Sequence, residues 1–581
     1  MSTETAGTHP EPLPPAASKP VRGAFGTVDP TTIDADGAAP PGARGRLGRR
    51  LRTLAAVVGP GLIVMVGDND AGAFATYGQA GQDHGTALLW TLLLLVPVLY
   101  VNQEMVLRLG AVTGLGHARL VMTRFGRFWG AFSVGDLLLL NALTLITEFI
   151  GITLAADVLG VPKPIAVLAA AAVVIASAFT GSFRRFERIA AGLCVASLLL
   201  IPLFLLVHPP VGRILEGFLV PSLSAAPGTP GGLSATVLLV IGIVGTTVAP
   251  WQLFFQQSYV IDKGITTRLI RYERADLWIG IVIVVIGGAA LMGCAAAAFA
   301  GTATAGHFTD TTGIATGLQR HAGRIAAVLF AVALLDASII GAFAVSLATA
   351  YAIGDVLGMP HTLHRGVRGA KGFHAVYAGL VAVAATIVLV PGSPLGLLTE
   401  GVQALAGVLL PSATVHLLLL CKDRAILGPW ANGARTTAFT WCVIGVLIAL
   451  SLVLTVSVLA PDLPLRTVLG GLGAVALAAA AASAVPVVLR RRRWRRRPGR
   501  IVTAGPATGP TALPALPAPP APVVVSEADR LNWRMPPPEE LPAPPRSRAR
   551  SVGMALLRLY LLTATALVLV KLVHTVLNPT G

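Results

Sequence analysis

Long apolar stretches separated by short polar loops recur along most of the chain. A helix that crosses a hydrocarbon core of about 30 Å needs about 20 mainly apolar residues. Stretches of that kind lie at 53–77, 85–107, 129–159, 164–181, 189–207, 235–259, 275–301, 323–352, 374–391, 400–420, 437–459 and 466–489. They predict an all-α polytopic membrane protein with about twelve transmembrane helices. The alternating pattern of transmembrane β-strands is not visible.

Two of these spans combine polar residues with residues that break helices. The first contains VGDNDAGAFATYGQAG (66–81), and the sixth contains VGTTVAPWQLFFQQSY (244–259), where Pro250 lies in mid-span. Proline removes a backbone donor, and unwound backbone at membrane depth is tolerated only where it lines protein or a cavity. Because the interruptions are five spans apart, they predict a five-plus-five inverted-repeat secondary transporter with broken helices 1 and 6 and additional C-terminal helices. Its substrate site should lie between the two breaks.

Composition and charge agree with a membrane protein. Of 581 residues, 54% are hydrophobic and 12% are charged, whereas soluble domains carry about 25% charged residues. The net charge of +17 comes from Lys and Arg before the first span and after even-numbered spans, as in DKGITTRLIRYER (262–274). This bias is the positive-inside pattern, so we expect a cytoplasmic N-terminus, a plasma-membrane location and contact with the lipid bilayer rather than with nucleic acid.

The chain divides into four parts by composition. Residues 1–44 are rich in Pro, Ala, Gly and Thr and predict a disordered cytoplasmic tail, followed by a transporter domain at 45–489. Residues 490–550 contain an Arg run and dense prolines, which favour an extended cytoplasmic linker. The apolar stretch at 551–572 predicts a further helix within 551–581, which spans the membrane or lies at its interface; we favour a span.

Asp70 is the strongest candidate for chemistry at the first break. A carboxylate at the centre of a transmembrane helix costs about 2.5–3.5 kcal/mol on insertion scales, and a bound cation would offset that cost. The alternatives are that Asp70 caps a half-helix or pairs with an arginine. Asp68 would face elsewhere on a regular helix, so we expect it to support the site or to line the vestibule.

Four further polar residues are candidates. Gln252 could supply an oxygen to a cation, satisfy the backbone opened by Pro250, or do both. Glu104 precedes Arg108 by one helical turn, so a structural ion pair is favoured for it over a role in the transport pathway. Glu148 and Asp336 have no partner nearby in the sequence and are candidates for a pathway or coupling role.

The residues around the first break resemble the natural resistance-associated macrophage protein (NRAMP) family of divalent-metal transporters. GPGLIVMVGDNDAGAFATYGQAG (59–81) is similar to that family's first helix, which reads GP, a short apolar run and then DPGN. This resemblance implies that Asp70 is a metal ligand and that Ala73 stands in place of an asparagine ligand.

Other helices extend the resemblance over roughly 50–460. APWQLFFQQS (249–258) is similar to the family's MPHNLYLHS, which puts Ala249 in place of a methionine ligand and Gln252 in place of an asparagine. VQALAGVLLP (402–411) puts Gln403 on a metal-facing glutamine. EFIG (148–151) is similar to the third helix, with Leu145 where a proton-handling aspartate is expected.

The departures from the family pattern bear on the substrate. A thioether ligand suits transition metals, whereas Mg²⁺ prefers oxygen ligands and keeps its waters. Loss of the methionine resembles the NRAMP-related magnesium transporters and implies a partly hydrated Mg²⁺ or Mn²⁺, and Leu145 weakens the case for proton coupling. The metal is cargo, and no cofactor is expected. The alternative is a transporter of amino acids or similar small organic solutes; motifs of hydrolases and phosphate-binding enzymes are missing, so we expect no enzyme.

Overall fold

The computed structural model describes residues 20–29, 43–223, 232–390, 395–459 and 526–542, with single positions between 467 and 473 and between 553 and 570. The twelfth predicted span and most of the predicted C-terminal helix lie outside these residues. The helices are α1 (Ala43–Val57), α2 (Pro60–Val66), α3 (Ala71–His84), α4 (Trp90–Thr113), α5 (His117–Phe125), α6 (Arg127–Leu159), α7 (Lys163–Ala178), α8 (Phe183–Ala196), α9 (Leu200–Val207), α10 (Val211–Leu219), α11 (Gly232–Thr247), α12 (Pro250–Lys263), α13 (Ile270–Phe299), α14 (Thr311–Ala322), α15 (Arg324–Leu357), α16 (Lys371–Leu389), α17 (Leu395–Lys422), α18 (Arg424–Leu427), α19 (Ala434–Leu459) and α20 (Glu527–Asn532).

The described helices form a polytopic membrane bundle. Eight of them, counting α8–α9 and α11–α12 as one each, are long and apolar enough to cross a membrane within the described part of the chain. The broken pair α2–α3, the shorter α7 and the helix α17 fall on the first, fourth and tenth predicted spans. The predicted all-α architecture is therefore confirmed.

The helix breaks lie where the sequence predicts them. The first span is interrupted between Val66 and Ala71, and the sixth between Thr247 and Pro250. Pro60 and Pro250 each occupy the first turn of a half-helix, where the missing N–H has no intrahelical acceptor. Because five spans separate the two breaks and five is odd, the second block of helices crosses the membrane in the opposite sense to the first.

Close helix packing brings the third span to the first break. α6 packs along α15, where a Cβ on Gly341 would lie 2.7 Å from Cδ of Glu148. Glycine at this position leaves room for the Glu148 side chain. A Cβ on Gly151, one turn further along α6, would overlap Ser338 and Ala71. These two glycines set how close Glu148 lies to the opened backbone.

A buried ion pair joins the end of α12 to α8, beside the junction of α1 and α2. Lys263 Nζ donates to Glu187 Oε1 at 2.5 Å and to the carbonyl of Val57 at 2.6 Å. Asp276 Oδ2 accepts from the backbone N–H of Gly61 at 2.7 Å, which places a carboxylate at the N-terminus of α2, where the helix dipole favours it. Lys263 belongs to one of the basic stretches of the positive-inside pattern, yet it is buried and bonded within the bundle.

Two terminal segments differ from the disordered tail and extended linker that composition predicts. Residues 20–29 contain strands β1 (Val21–Arg22) and β2 (Thr27–Val28), which pair antiparallel with Val21 opposite Val28. Val21 is buried, and Gly23 lies so close to Ala56 of α1 that a Cβ would overlap the backbone. Residues 526–542 form α20 and a 3-10 turn that contact the transporter loops. A few apolar side chains in otherwise polar segments provide this anchorage.

Candidate functional site

The first break exposes a short stretch of backbone next to Asp70. Asp70 has extended dihedrals (φ −77°, ψ −173°) and caps α3, because its Oδ1 accepts from the N–H of Ala73 at 2.9 Å. The capping alternative is therefore present, and Asp70 forms no ion pair with an arginine among the described residues. The cap engages one carboxylate oxygen, and the Asp70 carboxyl also shares a side-chain hydrogen bond with Glu148.

The second break places Gln252 at the start of α12. Ala249 is extended (φ −90°, ψ 142°), and its carbonyl accepts from the Gln252 N–H at 3.2 Å. The Gln252 side-chain Nε2 donates to the carbonyl of Thr247 at 3.3 Å, so Gln252 does satisfy backbone opened by Pro250. Thr247 is also joined to α3, because its hydroxyl lies 2.8 Å from that of Tyr77. The two breaks are thus adjacent.

A line of three buried polar side chains connects the breaks. Gln103 Nε2 on α4 donates to Gln252 Oε1 at 2.8 Å, and Gln252 Nε2 donates to Asp68 Oδ1. Asp68 therefore faces the second break directly, because residues 67–70 are not helical and helical spacing does not apply to them. Sequence reasoning missed Gln103; its signal is the polar run Asn102–Glu104 inside the apolar helix α4.

Glu148 lies on the other side of the first break. Its Oε2 accepts from the N–H of Ala71 at 3.2 Å, next to the Asp70 carboxyl, and its Oε1 has no hydrogen-bond partner among the described residues. Leu145, one turn earlier on α6, is fully buried and carries no ionisable group. Glu148 is therefore the acid that α6 supplies to the break.

The site concentrates carboxyl groups in the interior of the bundle. The exposed fractions of Asp68, Asp70 and Glu148 are 1%, 5% and 0%, and none of them forms an ion pair within the described part of the chain. Buried charges are normally paired or coordinate metals. Three unpaired carboxyl groups at a pair of helix breaks therefore favour a cation over an anion.

The site does not form a cage of classical metal-binding side chains. Over the described residues, no three His, Cys, Asp or Glu side chains converge closely enough to hold a metal ion. Ala73 and Ala249 have no donor atom in their side chains, and both are buried at the breaks. A cation here would be bound by one or two carboxylates, by carbonyl or amide oxygens and by water.

Glu104 and Asp336 share no hydrogen bond or ion pair with the residues at the two breaks within the described part of the chain. Glu104 forms ion pairs with Arg108 at 3.1 Å and with Arg274 at 2.6 Å, which confirms the predicted structural pair. Asp336 is buried on α15 near Cys194 of α8, and its Oδ2 has no hydrogen-bond partner among the described residues. Gln403 lies on α17, and its side chain is outside the described part of the structure.

Comparisons with known proteins identify relatives over most of the chain. A family model described as natural resistance-associated macrophage protein-like matches residues 61–457. The divalent metal cation transporter MntH of Ralstonia nicotianae is 31% identical over 427 residues, which cover 70% of this chain and 92% of that protein. MntH 1 of Pseudomonas aeruginosa is 28% identical over 423 residues, with the same shares covered.

The fold is also similar to a solved structure. A crystal structure of a mutant of the Eremococcus coleocola manganese transporter superposes with a TM-score of 0.59 and 19% identity, over 78% of this chain and 97% of that one. At this level of identity the likeness bears on the fold alone. It agrees with two five-helix blocks that each begin with a broken helix.

Proposed function

Since the chain belongs to the natural resistance-associated macrophage protein-like family, we propose that it transports divalent metal cations across the membrane by alternating access rather than catalysing a reaction. The ion binds between the two helix breaks, and the two five-helix blocks move to open the site to one side at a time. The protein is an integral multi-pass membrane protein. Its bias of Lys and Arg toward even-numbered loops supports a cytoplasmic N-terminus and a plasma-membrane location.

One observation carries the proposal: buried, unpaired carboxyl groups lie directly at opened backbone. Asp70 supplies a carboxyl oxygen at the first break, and Asp68 is linked to Gln252 at the second. An uncompensated carboxylate in a membrane interior is costly, so a bound divalent cation stabilises the arrangement. The Tyr77–Thr247 contact keeps the two breaks together around the ion.

The donor set favours a partly hydrated Mg²⁺ or Mn²⁺. The atoms at the breaks that could bind a metal are carboxyl, amide and carbonyl oxygens, which suit Mg²⁺ and Mn²⁺, and no thioether is available from Ala249. Mg²⁺ usually keeps several waters and uses one or two carboxylates, which matches the small number of carboxylates at the breaks. Asp70 and an oxygen of Gln252 are the proposed side-chain ligands, and backbone carbonyls and water complete the shell.

We propose that transport does not require a proton gradient. Leu145 stands where the resemblance places a proton-handling aspartate, and its side chain cannot carry a proton. An ion that moves down its own electrochemical gradient needs no titrating residue. Uptake should therefore respond to the membrane potential and depend little on a pH difference across the membrane.

Uptake into proteoliposomes tests the proposed function. Purified protein is reconstituted into vesicles, and Mn²⁺ uptake is measured with and without a pH gradient. The competitors are Mg²⁺, Ca²⁺, Zn²⁺ and a panel of amino acids. We expect Mg²⁺ to compete and Asp70→Ala to abolish uptake, whereas the control Asp157→Asn, at an exposed position near the end of α6, transports normally. Native rates in Asp70→Ala would refute the site, and uptake of amino acids instead of metals would refute the substrate class.

A further inference from the structure

One face of the bundle carries a surface to which part of the proline-rich tail is docked. We call residues 526–542 the tail segment. The loops that it contacts follow the second, sixth and tenth spans, and therefore lie on the same side of the membrane. The contacts come from Arg124 on α5, from Thr267 and Arg268 before α13, and from Gly428 and Trp430 after α18.

Backbone groups of the tail segment are held by specific donors. Trp430 Nε1 donates to the carbonyl of Arg530 at 2.8 Å, and the Arg530 guanidinium stacks over the Trp430 ring at 4.2 Å. Arg268 donates to Asn532 Oδ1 at 2.9 Å. Two further bonds run from Thr267 Oγ1 to the carbonyl of Leu531 and from Arg124 Nη1 to the carbonyl of Pro542, each at 2.5 Å.

Apolar side chains of the tail segment complete the contact. Leu531, Trp533 and Met535 occupy alternate positions and pack against the main hydrophobic core. The Trp533 ring lies against Gly428, which has φ +49°, and a Cβ at Gly428 would overlap the ring. Glycine is thus required there both by its positive φ and by the approach of Trp533. Such complementarity is unexpected of a spacer that only links two helices.

The docking surface is connected to the helix that carries Gln252. α12 begins at the second break and is followed, after a short turn, by Thr267. The same surface is tied to α4, because Arg108 Nη1 donates to the carbonyl of Trp430 at 2.5 Å. The tail segment therefore bridges α5, the turn after α12 and the loop after α17, and Arg108 ties that last loop to α4.

We propose that the tail segment is an intramolecular clasp that holds these three loops together and slows the transport cycle. In inverted-repeat transporters one group of helices moves against the other, and α12 begins at the break around which such motion occurs. The tail segment is bonded to the turn after α12 and to the loop after α17. It must therefore be released before that turn and that loop can separate. Coupling of this kind typically changes an equilibrium about 5-fold or more. The effect on rate rests on the proposed transport function, whereas the docking itself does not.

Limited proteolysis tests docking without any metal. Trypsin cleaves after Arg530, whose carbonyl is bonded to Trp430 and whose side chain is stacked on its ring. We expect cleavage at this bond to be at least about 5-fold faster in Trp533→Ala than in the native full-length protein. The control is Glu539→Gln, at an exposed position of the same segment whose side chain forms no hydrogen bond or ion pair with the described residues. Equal cleavage rates in Trp533→Ala and native protein would overturn the docking.

Transport assays test the consequence. Mn²⁺ uptake by Trp533→Ala should be several-fold faster than by the native protein and by Glu539→Gln. Thr267→Val, which keeps its shape but loses the bond to the Leu531 carbonyl, should show a smaller increase. Faster cleavage with an unchanged uptake rate would overturn the clasp. If the native protein moves no divalent metal, the proposed function fails, and with it the effect on rate, while the cleavage comparison still decides whether the segment docks.

Discussion

Replacing Asp70 by asparagine separates its two roles. Asparagine keeps an oxygen that can accept the Ala73 N–H, now 2.9 Å from Asp70 Oδ1, and removes the negative charge. Asp70→Ala removes both. Losing an N-cap costs about 1 kcal/mol, so in the absence of metal Asp70→Asn should be as stable as the native protein or more so. Asp70→Ala should be about 1 kcal/mol less stable than Asp70→Asn.

Metal binding then distinguishes a ligand from a cap. A ligand at about 100 times its dissociation constant stabilises a folded protein by about 2.7 kcal/mol. Changing a group that merely supports a metal ligand typically lowers affinity 10- to 100-fold, so loss of the charge on Asp70 should lower it at least about 100-fold. At the same metal concentration, the variant would gain only about 0.4 kcal/mol.

Thermal unfolding in detergent, with and without Mn²⁺ or Mg²⁺, measures this difference. Asp157→Asn again serves as the control, because it removes a carboxylate far from the breaks. We expect metal to stabilise the native protein and the control but not Asp70→Asn. Equal stabilisation of Asp70→Asn and the native protein would refute the assignment of Asp70 as a ligand and leave it only the capping role.

Three further perturbations follow from single contacts. Gly341→Ala forces a Cβ to 2.7 Å from Glu148 Cδ and should destabilise the protein by about 1–3 kcal/mol; Glu148→Ala in the same chain should restore most of this in thermal unfolding, and no restoration would refute the clash. His361 follows the span formed by α15, and its Nε2 lies 3.1 Å from Oδ1 of Asp355. The hydrogen bond between them is the main reason that the pKa of His361 is raised. The contribution of this pair to the free energy of unfolding is complete below about pH 6.5 and is lost as pH rises through the raised pKa of His361. A pH series of thermal unfolding should therefore show a decline in stability that His361→Gln lacks. Tyr77→Phe removes a bond between the breaks and should cost about 1 kcal/mol in unfolding assays; an unchanged midpoint would contradict it.

The helix breaks could be predicted because their causes are local. Pro250 lacks an N–H wherever it is placed, and the Gly-Asp-Asn-Asp sequence of 67–70 disfavours a continuous helix in any context. The Glu104–Arg108 pair follows equally from helical spacing. The apolar stretches therefore sufficed to predict the architecture, and the helix-breaking residues sufficed to predict where the two breaks lie.

Contacts between distant segments could not be derived from local patterns. Asp68 meets Gln252 because the chain leaves the helix in a turn between α2 and α3, where the N–H groups of Asp68 and Asn69 bond to carbonyls three residues back. The direction of a side chain in such a turn is set by its neighbours. Lys263 lies in a basic loop sequence, yet it is buried against Glu187, whose proximity depends on how α8 packs. The docking of Trp533 depends on a glycine more than 100 positions earlier. The ligand roles of Asp70, Gln252 and Gln403 stay predictions.

The hydrogen bonds from Gln103 through Gln252 to Asp68 all run in one direction. Each amide N–H points toward the carboxylate, so Gln252 presents nitrogen, not oxygen, to the first break. For its oxygen to face a cation, the Gln252 amide must rotate by half a turn, and its NH₂ group would then meet that of Gln103. Gln103 must rotate as well, and its Oε1, which has no partner among the described residues, would accept the new bond. Binding of an ion at the first break would therefore rotate the amides of Gln252 and Gln103 together. In this way the presence of the ion changes a side chain of α4, the second transmembrane span.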